Sequence, residues 1–293
     1  MVSAREILDI VIVAYYIPAL GTSLFVALKH GFSKEIGFIY LAILSLVREI
    51  GAICGIVNFH QPSTGLAKTS IITSSVGLSP LILAMAAMLQ RVNKGMSSGK
   101  GISDRIFQAL HLPQLVALIL GIIGGMKQFD EDPEVQKTGH NLSRASIIIF
   151  FVILVVQSLI AAVTLLRLRY VRPEERKMVY IVGASIPFLF VRILYALISS
   201  FSNDHDTFNQ ISPSNKAVLV QACMAILEEF VVVALYLLAG IATPGREIER
   251  KHSPLLNHDD HVEIGHVQGN KGTSYSAGYR HPSHQPYEPY RNN

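Results

Sequence analysis

Along residues 1–241, long blocks of apolar side chains alternate with short runs of charged ones, and beyond that point the alternation stops. An α-helix needs about 20 apolar residues to cross the hydrocarbon core of a bilayer. Seven blocks are long enough: 7–28, 36–57, 70–89, 106–126, 145–166, 178–201 and 217–241. The connections between them are short and leave no room for an inserted soluble domain. The pattern predicts an all-α polytopic membrane bundle of seven transmembrane helices over 1–241. Pro244-Gly245 ends the last helix. Residues 242–293 mix His, Ser, Gly, Pro and Tyr with few aliphatics, too little apolar surface to offset the entropy of ordering, so they read as a disordered tail. Within it, Ser253-Pro254-Leu255-Leu256 has the form of a phosphosite beside a dileucine sorting signal.

Composition strengthens the membrane reading. Half the residues are hydrophobic and 16% are charged, against about a quarter charged in an average soluble domain, and the mean hydropathy is +0.39. Cys54 and Cys223 both lie inside apolar blocks, where they read as small buried hydrophobes and not as a disulfide framework. The net charge of +4 comes from basic residues dispersed among short loops, a pattern of membrane orientation and not of nucleic-acid binding. No tryptophan is present, so Tyr and Phe must form the interfacial belts, with Phe59, Phe129, Phe201, Tyr170 and Tyr180 at the ends of spans.

Lys and Arg accumulate on the cytoplasmic side of membrane helices. Arg5, Lys68, Lys127, Lys137, Arg144 and Lys216 share the side of the N-terminus. They are outnumbered by those on the opposite side, which include Arg91, Arg105, Arg167, Arg169, Arg172, Arg176 and Lys177. The expectation is an N-terminus outside and a C-terminal tail in the cytoplasm. The acidic run Asp130 to Glu134 and the sequon Asn141-Leu142-Ser143 then fall outside. The first block resembles a signal peptide, but Glu6 and Asp9 beside Arg5 give its n-region acidic charges, so it reads as a retained helix.

Ionisable side chains near the bilayer centre cost about 2.5–3.5 kcal/mol on insertion scales, which makes them functional-site candidates. Five are counted: Arg48 and Glu49 in the second span, Arg192 in the sixth, and Glu228 and Glu229 in the seventh. At 1.5 Å rise per residue, Arg48, Arg192 and Glu228 lie within about 3 Å of one level. Helical spacing places Ser45, Arg48, Gly51, Ala52 and Gly55 on one stripe, and Gln221, Ala225 and Glu228 on another. Arg48 is expected to pair with Glu228 or Glu229 in a charge-assisted contact between helices. Two readings stay open: a polar clasp that fixes the bundle, or a polar cavity that binds an ionic or zwitterionic ligand or relays a proton.

Pro18, Pro80, Pro113 and Pro187 interrupt spans. The third span, with Thr73, Ser74, Ser75 and Ser79, is polar enough to face protein or water, and Tyr15, Tyr16 and Gln157 are further interior candidates. The seventh span has no mid-helix lysine for a retinal Schiff base, since Lys216 sits at its boundary. His111 is the only histidine within a span, too few for a zinc hydrolase or a di-iron site. No metal, no cofactor and no enzymatic chemistry are expected.

The Tyr15-Tyr16-Ile17-Pro18 turn, the Lys29-His30-Gly31-Phe32 loop, the Ser45-Leu46-Val47-Arg48-Glu49-Ile50-Gly51 segment and the Glu228-Glu229 pair together carry a resemblance. The chain resembles an uncharacterised family of fungal seven-span membrane proteins. It is similar in layout to fungal lipid-translocating-exporter-like proteins and to fungal seven-span receptor-like proteins. The resemblance implies a fungal source and an integral location in the plasma membrane or an endomembrane, among membrane lipids. The leading functional expectation is binding or transport of a small amphiphile, lipid or ion at the mid-membrane cluster. The alternative is a receptor-like sensor that signals through its cytoplasmic loops and tail.

Overall fold

The computed structural model describes residues 3–30, 36–96, 101–201 and 215–243. The predicted tail, from residue 244, and its Ser253-Pro254 motif lie outside the described residues. Where described, the chain is helical with no strand: α1 (Ala4–His30), α2 (Ile36–His60), α3 (Thr64–Val76), α4 (Leu78–Lys94), α5 (Asp104–Lys127), α6 (Pro133–Leu166), α7 (Pro173–Phe201), α8 (Asn215–Gln221) and α9 (Leu227–Ala242). These make seven helical stretches long and apolar enough to cross a membrane, with α3 and α4 forming the third and α8 and α9 the seventh.

All the membrane-length stretches except α2 begin earlier than their apolar blocks, for local reasons. α6 starts twelve residues ahead of the block at 145 because Asp132 caps it, its side chain accepting from the Glu134 N–H at 3.0 Å, with Pro133 in the first turn. The Asn141 sequon, expected in a loop, therefore lies inside a helix. α7 likewise starts at Pro173, with Glu174 and Glu175 in the first turn, where carboxylates oppose the helix dipole.

Of the four prolines expected to interrupt spans, Pro18, Pro113 and Pro187 sit inside continuous helices. Pro80 alone stands beside a break. Lacking an N–H, it cannot bond the Val76 carbonyl four residues back, and its ring crowds that carbonyl. The helix accordingly divides at Gly77, between α3 and α4.

α4 is the hub. Its sequence from Leu78 to Leu89 is apolar nearly all round, which suits a helix packed on every side. Leu81, Ile82, Ala84 and Met85 are fully buried, and α4 meets α2, α5, α6 and α7. The other helices bury one face and expose a second apolar one, as in Leu112, Leu115 and Ile119 on α5 and Ile148, Val152 and Leu159 on α6. Outward apolar rows at three- to four-residue spacing are what lipid contact requires.

α1, α2 and α9 close against one another at Gly240. A Cβ there would lie 2.5 Å from Phe38 Cε1 and 2.6 Å from Val26 Cγ1. Gly240→Val is therefore expected to lower stability by roughly 1–3 kcal/mol through overpacking, read as a reduced thermal unfolding temperature in detergent.

Candidate functional site

Four helices deliver side chains to one buried point. On α2, Ser45, Arg48 and Ala52 face inward, and Arg48 is 5% exposed. Its guanidinium crosses the helix break: a Cβ on Gly77 would lie 2.5 Å from Arg48 Nη2 and 2.8 Å from Cζ. Only a glycine at this position leaves room for the arginine. The break that Pro80 imposes thus sits where a buried cation approaches backbone.

The seventh stretch brings the matching anion. Between α8 and α9, residues Ala222–Ile226 form a π turn. Such a turn takes up one extra residue and often marks a functional site. In an uninterrupted helix Gln221, Ala225 and Glu228 would share a face. With the added residue, Glu229 takes the inward place in line with Gln221 and Ala225, and it is 1% exposed.

Arg48 Nε donates to Glu229 Oε1 at 2.5 Å, and Nη2 donates to Oε2, a bidentate pair. The Tyr16 hydroxyl on α1 donates to the same Oε1. Arg192 on α7 brings Nε to 3.6 Å from Oε2, an ion pair without a hydrogen bond. Next to it, Tyr15 donates to the Phe230 carbonyl at 2.6 Å and stacks on the Phe230 ring at 3.9 Å, so consecutive residues of α1 seat on consecutive residues of α9. Two guanidiniums share one carboxylate, leaving one surplus positive charge among these three groups.

The five charged residues expected at one level divide. Arg48, Arg192 and Glu229 meet; Glu49 and Glu228 do not. Each of the latter is one residue, about 100°, round its helix from a cluster member. Both are half-buried, and Glu49 Oε1 and Glu228 Oε2 have no hydrogen-bond partner among the described residues. The expectation that all five form one cluster is corrected for these two, and the partner of Arg48 is Glu229.

Other buried polar groups lie above and below the cluster. Near the start of α1 and toward the C-terminal ends of α3 and α8, Arg5, Asp9, Ser70, Ser74 and Gln221 line a small cavity of about 20 Å³, together with Ile12 and Ile226. One helical turn beyond those two isoleucines are Tyr16 and Glu229. On the other side of the cluster, Ser185 Oγ and Tyr236 Oη are 3.0 Å apart and fully buried. Further along, Arg91 Nε lies 3.2 and 3.3 Å from the two Glu175 oxygens, joining the end of α4 to the start of α7. The Asn93 side chain clamps the following loop through two 2.6 Å bonds to the Ile102 backbone.

Along the chain Arg5 and Asp9 look like flanking charges, although Asp9 lies inside the first apolar block and four residues from Arg5. Arg91 and Glu175 fell outside the expected spans. The signal for Glu175 was Pro173 at a helix start, which draws the first turn of α7 into the bundle. Among the described residues, no group of three or more His, Cys, Asp or Glu comes together.

One family model, described as Domain of unknown function (DUF7702), matches residues 2–246. No curated protein matches the chain.

Glu229→Gln leaves two buried guanidiniums without a counter-charge. It is expected to cost about 3–5 kcal/mol, read by thermal unfolding of the purified protein. Arg192→Met costs less, because the Arg48 pair and the Tyr16 hydrogen bond survive. Glu49→Gln and Glu228→Gln are expected to stay within about 0.5 kcal/mol of the parent.

Proposed function

The chain belongs to the DUF7702 family of unknown function, and we propose that it is an integral membrane protein that binds and transports a small solute along an axis through the Arg48–Glu229–Arg192 cluster. One observation supports this above others. Both membrane-length stretches that depart from regular α-helix, the third and the seventh, do so beside the cluster, at Gly77 and at Ala222–Ile226. Irregular backbone at membrane depth is tolerated where it is buried in protein or lines a cavity. Paired broken helices around a mid-membrane polar site are a recurring construction of secondary transporters. Here the outer halves, α3 and α8, wall the cavity that ends one turn short of the cluster.

In this reading the N-terminus faces outward and the chain beyond α9 is cytoplasmic, in keeping with the excess of Lys and Arg on that side. The membrane is the plasma membrane or an endomembrane. The cavity lies on the outer side. The Ser185–Tyr236 hydrogen bond and the Arg91–Glu175 pair stand across the axis on the inner side. That asymmetry also favours a second reading, a receptor-like sensor whose site opens to one face only.

Thiol labelling separates the two. In a variant with Cys54 and Cys223 replaced by Ser, Ser70→Cys is expected to react with a membrane-impermeant maleimide supplied on the N-terminal side. Transport further predicts that Ser185→Cys reacts from the opposite side over the working cycle. Ser185→Cys inert from both sides would leave the sensor reading, and Ser70→Cys inert as well would leave a purely structural clasp.

A further inference from the structure

Two connections at one end of the bundle, 91–105 from α4 into α5 and 167–177 from α6 into α7, hold nine Lys and Arg against three Asp and Glu. We propose that they form one docking surface for the headgroup of an anionic phospholipid in the surrounding leaflet. This rests on the membrane embedding above and not on the transported solute.

Membrane orientation requires only that Lys and Arg lie on one side. It does not require connections from different helix pairs to be fastened together, and here they are. Met96 and Val171 form an isolated antiparallel bridge between the two. Arg91 pairs with Glu175 across them, and Arg176 Nε donates to the Val171 carbonyl at 3.2 Å. The Asn93 side chain holds the Ile102 backbone through its two 2.6 Å bonds. Lys94, Arg105 and Arg169 each stand within three residues of one of these ties, and all three are exposed.

Carboxylates do little to offset them. Glu175 is buried in its pair with Arg91, which leaves Glu174 as the exposed carboxylate among the described side chains of these connections. Arg169 stacks over Tyr170, its Cζ 4.6 Å from the ring centroid. Stacking occupies the flat face of a guanidinium, while its N–H donors lie in the plane. That edge is the one a phosphate oxygen meets.

Exposed apolar side chains beside the cations favour a lipid over a soluble acidic partner. Leu166, 86% exposed, precedes Arg167, and Ile106, 44% exposed, follows Arg105. A cation next to a side chain that belongs in hydrocarbon stands at headgroup level, where anionic lipids attract basic residues at helix ends.

The test uses the full chain in a neutral detergent, titrated with fluorescent-tailed dioctanoyl phosphatidylinositol bisphosphate and followed by anisotropy. Salt is held at about 0.15 M, where charges are screened beyond about 8 Å. The unlabelled lipid should displace the probe, and dioctanoyl phosphatidylcholine should not. Lys94→Gln, Arg105→Gln and Arg169→Gln should each weaken binding about fivefold, the share of one basic residue at an anionic surface. The triple variant should lose roughly a hundredfold. Arg169→Lys, which keeps the charge, should retain most of the affinity. Lys137→Gln removes an exposed cation near the start of α6, at the opposite end of the bundle, and should bind like the parent.

Thermal unfolding confirms that each variant is folded, and the three single variants carry the test should the triple one fail to fold. A folded triple variant that binds like the parent overturns the proposal. So does a parent that binds phosphatidylcholine as tightly, or a Lys137→Gln protein as weak as the triple variant, the mark of attraction to net charge alone. Displacement by water-soluble inositol trisphosphate as effective as that by the lipid identifies a free polyanion and overturns it too. Equal displacement by a polyglutamate peptide does the same in favour of an acidic protein partner. In each of these cases a parent that enters phosphatidylcholine nanodiscs leaves the membrane embedding standing.

Discussion

The Glu229 carboxylate is the point on which the packing of α1, α2, α7 and α9 depends. A guanidinium taken out of water loses hydration worth several kcal/mol, and it is retained only where a counter-charge and hydrogen bonds replace that loss. Two arginines are buried here, and one carboxylate answers both. Its Oε1 accepts from Arg48 and Tyr16, while Oε2 accepts from Arg48 and faces Arg192. Helices far apart in sequence must therefore meet at one depth and in one rotational setting.

Two local irregularities serve that requirement. Pro80 divides the third membrane-length stretch, and the division places Gly77, without a side chain, beneath the Arg48 guanidinium. The π turn before α9 rotates the seventh stretch by one residue, so that Glu229 and not Glu228 turns inward. Each irregularity weakens the local helix, and each has a partner in the cluster that accounts for it. The same two departures set α3 and α8 apart from α4 and α9, and those shorter helices wall the cavity above. Cluster and cavity thus share one structural cause.

Much of this was legible along the chain. Seven apolar blocks predicted seven helices, and the common depth of Arg48, Arg192 and the paired glutamates predicted their meeting. The selection of Glu229 over Glu228 was not legible, because an uninterrupted 3.6-residue period points to Glu228 and nothing in Ala222-Cys223-Met224-Ala225-Ile226 announces a π turn. Asp9 escaped because a charge near a helix start looks like a solvated flank until a neighbouring helix covers it. The buried Arg91–Glu175 pair escaped for a related reason: helix ends were drawn from hydropathy, while Asp132 and Pro173 extend the helices into charged segments that then pack together.

The sequence alone determined the class of structure, since twenty-residue apolar runs leave the backbone no arrangement but helices when water is absent. It also determined which residues had to be paired, because an isolated charge at that depth is too costly to leave alone. Tertiary structure decided the partners. Pairing depends on the rotation of each helix about its axis and on where a regular turn gives way to a break or a wider one. Those are properties of the helices packed together, and no single stretch of residues contains them.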